Sequence, residues 1–161
     1  MVIEYTIKLL DESWLLDGVH LISNEWGREY SAYFLNEMTH LLKTPYAVLL
    51  GAVNQENELC GITVINKAEM DFAYWSITWV LVSPECRSLG LGKRLVQAAE
   101  THAVSDRVNY PVGSSKRLVI QLTTSSPAFY EKLGYRRIFD DLMVKNIEPE
   151  FWSEKKDAEV A

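Results

Sequence analysis

The stretch YWSITWVLVSPECRSLGLGKRLVQAAETHA, residues 74–103, decides the fold. Ile77, Trp79, Val80, Leu81 and Val82 form a β-branched and aromatic run of strand length, closed by Ser83-Pro84. Downstream, Leu91, Leu95, Ala98 and His102 recur at helical spacing, with Lys93, Arg94, Gln97 and Glu100 on the other face. Between strand and helix lies Arg87-Ser88-Leu89-Gly90-Leu91-Gly92. Two glycines at the mouth of a helix let backbone N–H groups approach an anion, which the first-turn amides and the positive end of the helix dipole then hold. Arg87, Lys93 and Arg94 add full positive charges. The segment reads as a phosphate site.

Two familiar phosphate loops do not fit it. The dinucleotide pattern G-x-G-x-x-G fails because Gly92 is followed by Lys93-Arg94-Leu95. The P-loop pattern fails because Arg94 follows Gly92-Lys93 and Arg87 stands where that pattern has glycine. What remains is Arg-x-x-Gly-x-Gly at Arg87, Gly90 and Gly92, after a strand and opening a helix. This resembles the pyrophosphate loop of the GNAT superfamily of acetyl-CoA-dependent N-acetyltransferases. A second motif, Ser126-Pro127-Ala128-Phe129-Tyr130-Glu131-Lys132-Leu133-Gly134-Tyr135, resembles that family's A-x-x-F-Y-x-x-x-G-[FY] element, in the family's order. The resemblance covers most of residues 1–146 and implies an α/β (α+β) GNAT fold. Its central, mixed and mostly antiparallel sheet would have about seven strands flanked by helices.

The rest of the chain agrees with one such domain over residues 1–150, followed by a charged, frayed tail at 151–161. Its 161 residues suffice for one sizeable core, and 48% hydrophobic with 24% charged residues is ordinary globular composition. A net charge of -6 argues against nucleic acid as a partner. No apolar run approaches the ~20 residues of a membrane span, and MVIEYTIKLLDESW lacks a basic leader, so no membrane partner is expected. Cys60 and Cys86 lie far apart without a C-x-x-C, which suits a reduced, cytoplasmic protein, expected as a monomer. Neither cysteine has a histidine in a recognisable triad setting, and no histidine or cysteine cluster suggests a metal.

In chain order, alternation at Ile3, Tyr5 and Ile7 predicts a first strand, and Leu15, Leu16, Val19 and Ile22 a helix over residues 12–24 stopped near Gly27. A second helix is expected over residues 31–43, burying Phe34, Met38 and Leu41. Residues 46–53 and 59–68 read as a hairpin around Asn54-Gln55-Glu56-Asn57. Residues 106–116 read as a loop, 118–122 as a strand, 126–133 as a helix stopped at Gly134, and 135–140 and 142–145 as two last strands.

The resemblance also implies roles. The amides of Ser88, Leu89, Gly90, Leu91, Gly92 and Lys93 would hold the pyrophosphate of acetyl-CoA, the co-substrate. The edge at Val80, Leu81 and Val82 would pair with the pantetheine amides as an added strand does. Ser126 and Phe129 would touch the cofactor, though Ser126 also suits a helix cap and Phe129 a core ring. Tyr130 aligns with the tyrosine that protonates the leaving thiolate. A phenol, with a reference pKa of about 10, is a donor at neutral pH. No general base is assignable, because Thr78 stands where many members carry glutamate.

For the acceptor, Leu21-Ile22-Ser23-Asn24-Glu25-Trp26-Gly27-Arg28 looks like the matching segment of the actin N-terminal acetyltransferases, as does Leu122-Thr123-Thr124 ahead of the second motif. The expected substrate is then the acidic N-terminus of a protein, processed actin, met by Trp26, Arg28 and Lys67, with Arg136 and Arg137 behind them. A small-molecule amine is the alternative acceptor, and a catalytically weak acyl-CoA-binding module the alternative to an enzyme.

Overall fold

The computed structural model describes residues 2–68, 73–108 and 118–147. It holds a single seven-stranded sheet in the order β1-β2-β3-β4-β5-β7-β6. The described residues form two compact units, one of residues up to 66 together with 77–100, the other of the remainder.

The first unit begins with β1, Tyr5–Leu10, which starts later than the alternation predicts because Ile3 stays 53% exposed. Strand β1 pairs antiparallel with β2, Ala47–Asn54, from Tyr5↔Asn54 to Leu10↔Leu49. Strand β2 pairs antiparallel with β3, Leu59–Lys67. The hairpin between β2 and β3 is closed by backbone bonds, Asn54 N to Glu58 O at 3.0 Å and Asn57 N to Asn54 O at 3.1 Å, and by one side chain. Asn54 Oδ1 accepts from the amides of Glu56 at 3.0 Å and Glu58 at 2.9 Å, closing the loop on itself, and Asn57 takes the left-handed conformation with φ 63°.

Between β1 and β2 run α1, Leu15–Trp26, and α2, Arg28–Leu41. A 3-10 turn at Glu12–Trp14 precedes α1, held by the Asp11 carboxylate accepting from Ser13 N at 2.9 Å. Gly27, at φ 97°, ends one helix and begins the other, so α2 starts three residues earlier than the sequence reading placed it. Ile22, Phe34 and Met38 are fully buried against Leu49, Ile62 and Val64, whereas Leu16, in the predicted stripe, is 69% exposed. A Cβ at Gly18 would lie 2.9 Å from the Phe34 ring, which is how closely α1 and α2 approach.

Strand β4, Tyr74–Val82, leads through a 3-10 turn at Pro84–Cys86 into α3, Leu91–Val108. In the first unit, a Cβ on Gly61 of β3 would stand 3.1 Å from both Leu81 O and Leu95 Cδ1, a tight contact that shows how closely strand and helix pack there. The core stripe of α3 is Leu91, Leu95, Val96, Ala99 and Ala103. The predicted Ala98 and His102 are half-buried at its margin.

The second unit carries β5, Leu118–Thr123, and α4, Pro127–Glu131. Two further strands follow, β6 at Arg136–Phe139 and β7 at Leu142–Ile147. Residues 74–76 of β4 pair with β5 in parallel, Tyr74↔Val119 to Ser76↔Gln121. Strand β7 is antiparallel to β5 and to β6, with Asp140 at φ 45° in the β6–β7 turn. Residues 106–108, expected in a loop, are the end of α3. The rest of that expected loop and the tail at 151–161 lie outside the described residues. So do Glu69 and Asp71, the carboxylates nearest upstream of β4.

Candidate active site

The loop ahead of α3 is shaped by two left-handed residues, Ser88 at φ 65° and Gly90 at φ 75°. Arg94 N donates to Gly90 O at 3.0 Å, the first bond of the helix, so the amides of Leu91, Gly92 and Lys93 have no intrahelical acceptor. No atom lies within 4 Å of where a Cβ on Gly90 would be, which leaves open the approach to those amides. Ser88, Leu89 and Lys93 are exposed. Orphan first-turn amides beside an open glycine suit a phosphate, as the sequence reading requires. Two of the three expected cations, however, are engaged by the fold. Arg87 donates from Nε to Val82 O at 3.1 Å and pairs with the Glu25 carboxylate. Arg94 Nη2 donates to Tyr5 O at 2.9 Å.

Upstream of the loop, Val80 and Val82 of β4 are half-buried and Leu81 is buried. Trp79 just before them has φ 57°, a conformation that costs a bulky residue on the order of 1–3 kcal/mol and persists only where its surroundings impose it. Those surroundings are aromatic. The Trp79 ring centroid lies 5.3 Å from Phe34, 6.1 Å from Trp26 and 6.2 Å from Tyr33, and Nε1 donates to Glu37 Oε1 at 3.4 Å. Thr78, at the position where many family members carry glutamate, has a hydroxyl without a hydrogen-bond partner among the described residues. Its carbonyl accepts from Thr63 Oγ1 at 3.3 Å.

In the second unit, Tyr130 on α4 is 7% exposed, set edge-on between Phe129 at 4.9 Å and Tyr135 at 5.8 Å. Burial pushes its phenol up to about 12, so it carries its proton throughout the neutral range. Phe129 is 36% exposed, more open than a core ring. Ser126 makes no side-chain cap to α4, and its amide donates to Thr124 Oγ1 at 2.8 Å instead.

The residues expected to meet an acidic substrate fall in both units, Trp26 and Arg28 in the first and Lys67, Arg136 and Arg137 in the second. Lys67 ends β3 with 9% exposure, paired to Asp106 at 3.0 Å and lying 5.8 Å over the Trp75 ring. Its charge is spent inside the second unit, so Lys67 is not the free cation the sequence reading expected. Trp26 is 43% exposed at the end of α1 and belongs to the Trp79 cluster. Arg28 begins α2, nine residues before Glu37, which is about 180° round the helix from it. Arg136 and Arg137 lie on β6 in the second unit, both exposed. Three residues escape the sequence reading. Tyr33 and Glu37, with Tyr30, recur at helical spacing on one side of α2, beside the buried Phe34–Met38 stripe.

Comparison with known proteins settles the family. The model of the acetyltransferase (GNAT) domain matches residues 46–137, more than half of the chain. The chain belongs to the GNAT acetyltransferase family. Solved structures agree in fold. An aminoglycoside 6'-N-acetyltransferase complexed with coenzyme A is 21% identical with a TM-score of 0.72, covering 90% of this chain and 98% of that one. An aminoglycoside 6'-acetyltransferase type Ii is 24% identical with a TM-score of 0.72, over 90% and 99%. A GNAT-family N-acetyltransferase from Escherichia coli in complex with CoA is 13% identical with a TM-score of 0.69, over 91% and 83%. A search of curated proteins finds no match. This GNAT protein is thus an acetyl-CoA-dependent acetyltransferase, and its open first-turn amides fit the pyrophosphate such enzymes hold. Among the described residues no helix is long and apolar enough to cross a membrane.

Proposed function

We propose that this GNAT enzyme acetylates a primary amine of a small, positively charged molecule. The pairing of Lys67 with Asp106 carries the reading, because it engages one of the cations expected to meet an acidic acceptor. Arg87 is likewise paired with Glu25, and Arg28 starts α2 about 180° round the helix from Glu37. The net charge of -6 favours a cationic partner. The likeness to two aminoglycoside acetyltransferases, though of fold alone, supports the same class of acceptor.

Acetyl-CoA supplies the acetyl thioester. The amides of Leu91, Gly92 and Lys93 bind the pyrophosphate, with Ser88, Leu89 and Gly90 shaping the approach, and Val80, Leu81 and Val82 pair with the pantetheine arm. Tyr130 holds the proton that the departing sulfur takes up. A C–N bond forms as the C–S bond breaks, and the amine's own proton leaves to solvent, since β4 offers Thr78 rather than a carboxylate. Only the neutral fraction of the acceptor's amine attacks at such a site, so kcat/KM should rise with pH toward an alkyl amine's own pKa, about 10.4.

The competing acceptor is the acidic N-terminus of a protein such as processed actin, which rests on Trp26 and Arg28. A panel of aminoglycosides, alkyl amines and peptides beginning Asp-Asp, Glu-Glu or Ser, assayed with acetyl-CoA, separates the two. Small amines are expected to exceed every peptide in kcat/KM by at least about tenfold. Acidic peptides ahead of the amines overturn the reading.

A further inference from the structure

Trp26, Tyr30, Tyr33 and Trp79 present an aromatic surface in the first unit that burial does not explain. Trp26 is 43% exposed, Tyr30 57% and Tyr33 64%, although large aromatics are the side chains whose burial stabilises a core most. The rings are mutually ordered. Trp26 and Tyr33 each tilt 36° to Trp79, and Trp26 meets Tyr30 at 6.2 Å and 65°. Centroids this close leave no room for a guest between rings, so a ligand would lie across the exposed faces. Tyr30, Tyr33 and Glu37 fall within about 60° of one another around α2, which places the carboxylate on the aromatic side. Glu37 is fixed there by accepting from Trp79 Nε1 at 3.4 Å.

An aromatic face attracts a cation within about 6 Å of its centroid, and a carboxylate beside it excludes anions. A purely apolar guest would leave the Glu37 charge to be desolvated without compensation. Trp79 also belongs to β4, immediately before Val80, Leu81 and Val82, so a group held on the platform lies beside the strand assigned to the cofactor.

We infer that this platform binds a second ammonium group of the acceptor, so that the substrate class is a di- or polyamine. One amine is held as a cation on the rings and by Glu37 while the other, neutral, is acetylated. The inference rests on the small-amine reading and narrows it.

The test compares 1,4-diaminobutane with butylamine in steady-state kinetics, on the native enzyme and on Glu37→Gln and Tyr33→Leu. Glu37→Gln keeps an acceptor for the Trp79 N–H and removes only the charge. The diamine is expected to exceed butylamine in kcat/KM by about tenfold or more. Each variant should raise KM for the diamine by about 2- to 30-fold, with kcat and the KM values for butylamine and acetyl-CoA unchanged, as loss of one cation–π or ionic contact requires. Calorimetry with 1,4-diaminobutane alone should show the same loss of affinity. Equal use of the two amines, or equal damage to both in the variants, overturns the platform and leaves the small-amine reading standing. Preference for acidic peptides over both amines overturns the reading and the platform together.

Discussion

Arg87, the first residue of the glycine-bearing loop ahead of α3, is ion-paired with Glu25, one residue before the end of α1. A second bond, from Arg87 Nε to Val82 O, ties the same guanidinium to the end of β4. The arginine of the motif therefore positions the loop, and its charge is largely balanced within the first unit. Glu25→Gln keeps the hydrogen bond and removes the balancing charge. It should tighten acetyl-CoA binding by about twofold to fivefold at low salt, since an exposed charge at ~4 Å is worth up to about 1 kcal/mol. The gain should vanish at ~0.5 M salt. Titration calorimetry at two salt concentrations checks it, and unchanged affinity at low salt would place the Arg87 charge away from the pyrophosphate.

Gly92 lies in the first turn of α3, among the amides left without an intrahelical acceptor. Gly92→Glu puts bulk and negative charge against the bound phosphates and should abolish detectable acetyl-CoA binding. Circular dichroism should still report a folded protein. A folded variant with native affinity removes the pyrophosphate assignment.

Tyr130→Phe should lower kcat by roughly 10- to 10⁴-fold with little change in KM for acetyl-CoA. Burial raises this phenol to about 12, from 10.0 in an exposed chain. Its proton is thus retained in the folded state through the range where the unfolded chain loses it. The stability that results is complete below pH ~10 and lost as pH rises through ~12. Cys60, buried and raised from 9.0 to about 12, adds a loss that begins lower, above pH ~9. Denaturant titrations should show a steep fall above pH ~10, shallower in Tyr130→Phe, and the same slope in both proteins refutes the assignment.

Asp106→Asn removes a carboxylate partner of an ammonium that is 9% exposed. Asp106 itself is 29% exposed, so the cost should sit at the low end for buried pairs, about 3 kcal/mol. Lys67→Met together with Asp106→Leu should cost clearly less than the single change, because no charge is left unpaired. Urea midpoints of the three proteins decide it. Activity on the preferred acceptor should persist in the double variant; its loss would return Lys67 to the substrate site.

Local patterns carried what local physics controls. The run Ile77 to Val82, the paired glycines at 90 and 92 and the helical spacing after them identify strand, loop and helix within one stretch, because each depends on neighbours in the chain. The second motif is equally local, and so is Asn54, whose side chain closes the β2–β3 hairpin on its own neighbours. The charges were another matter. Lys67 and Asp106 are 39 residues apart, Arg87 and Glu25 are 62, and Trp79 and Glu37 are 42. Whether a cation is free for a substrate or consumed by the fold depends on which carboxylate the packing delivers to it, and periodicity holds no record of that. The sequence alone determined an acetyl-CoA enzyme of GNAT type. Only the tertiary structure decided where its charges are spent, because packing brings each cation to a carboxylate remote in sequence.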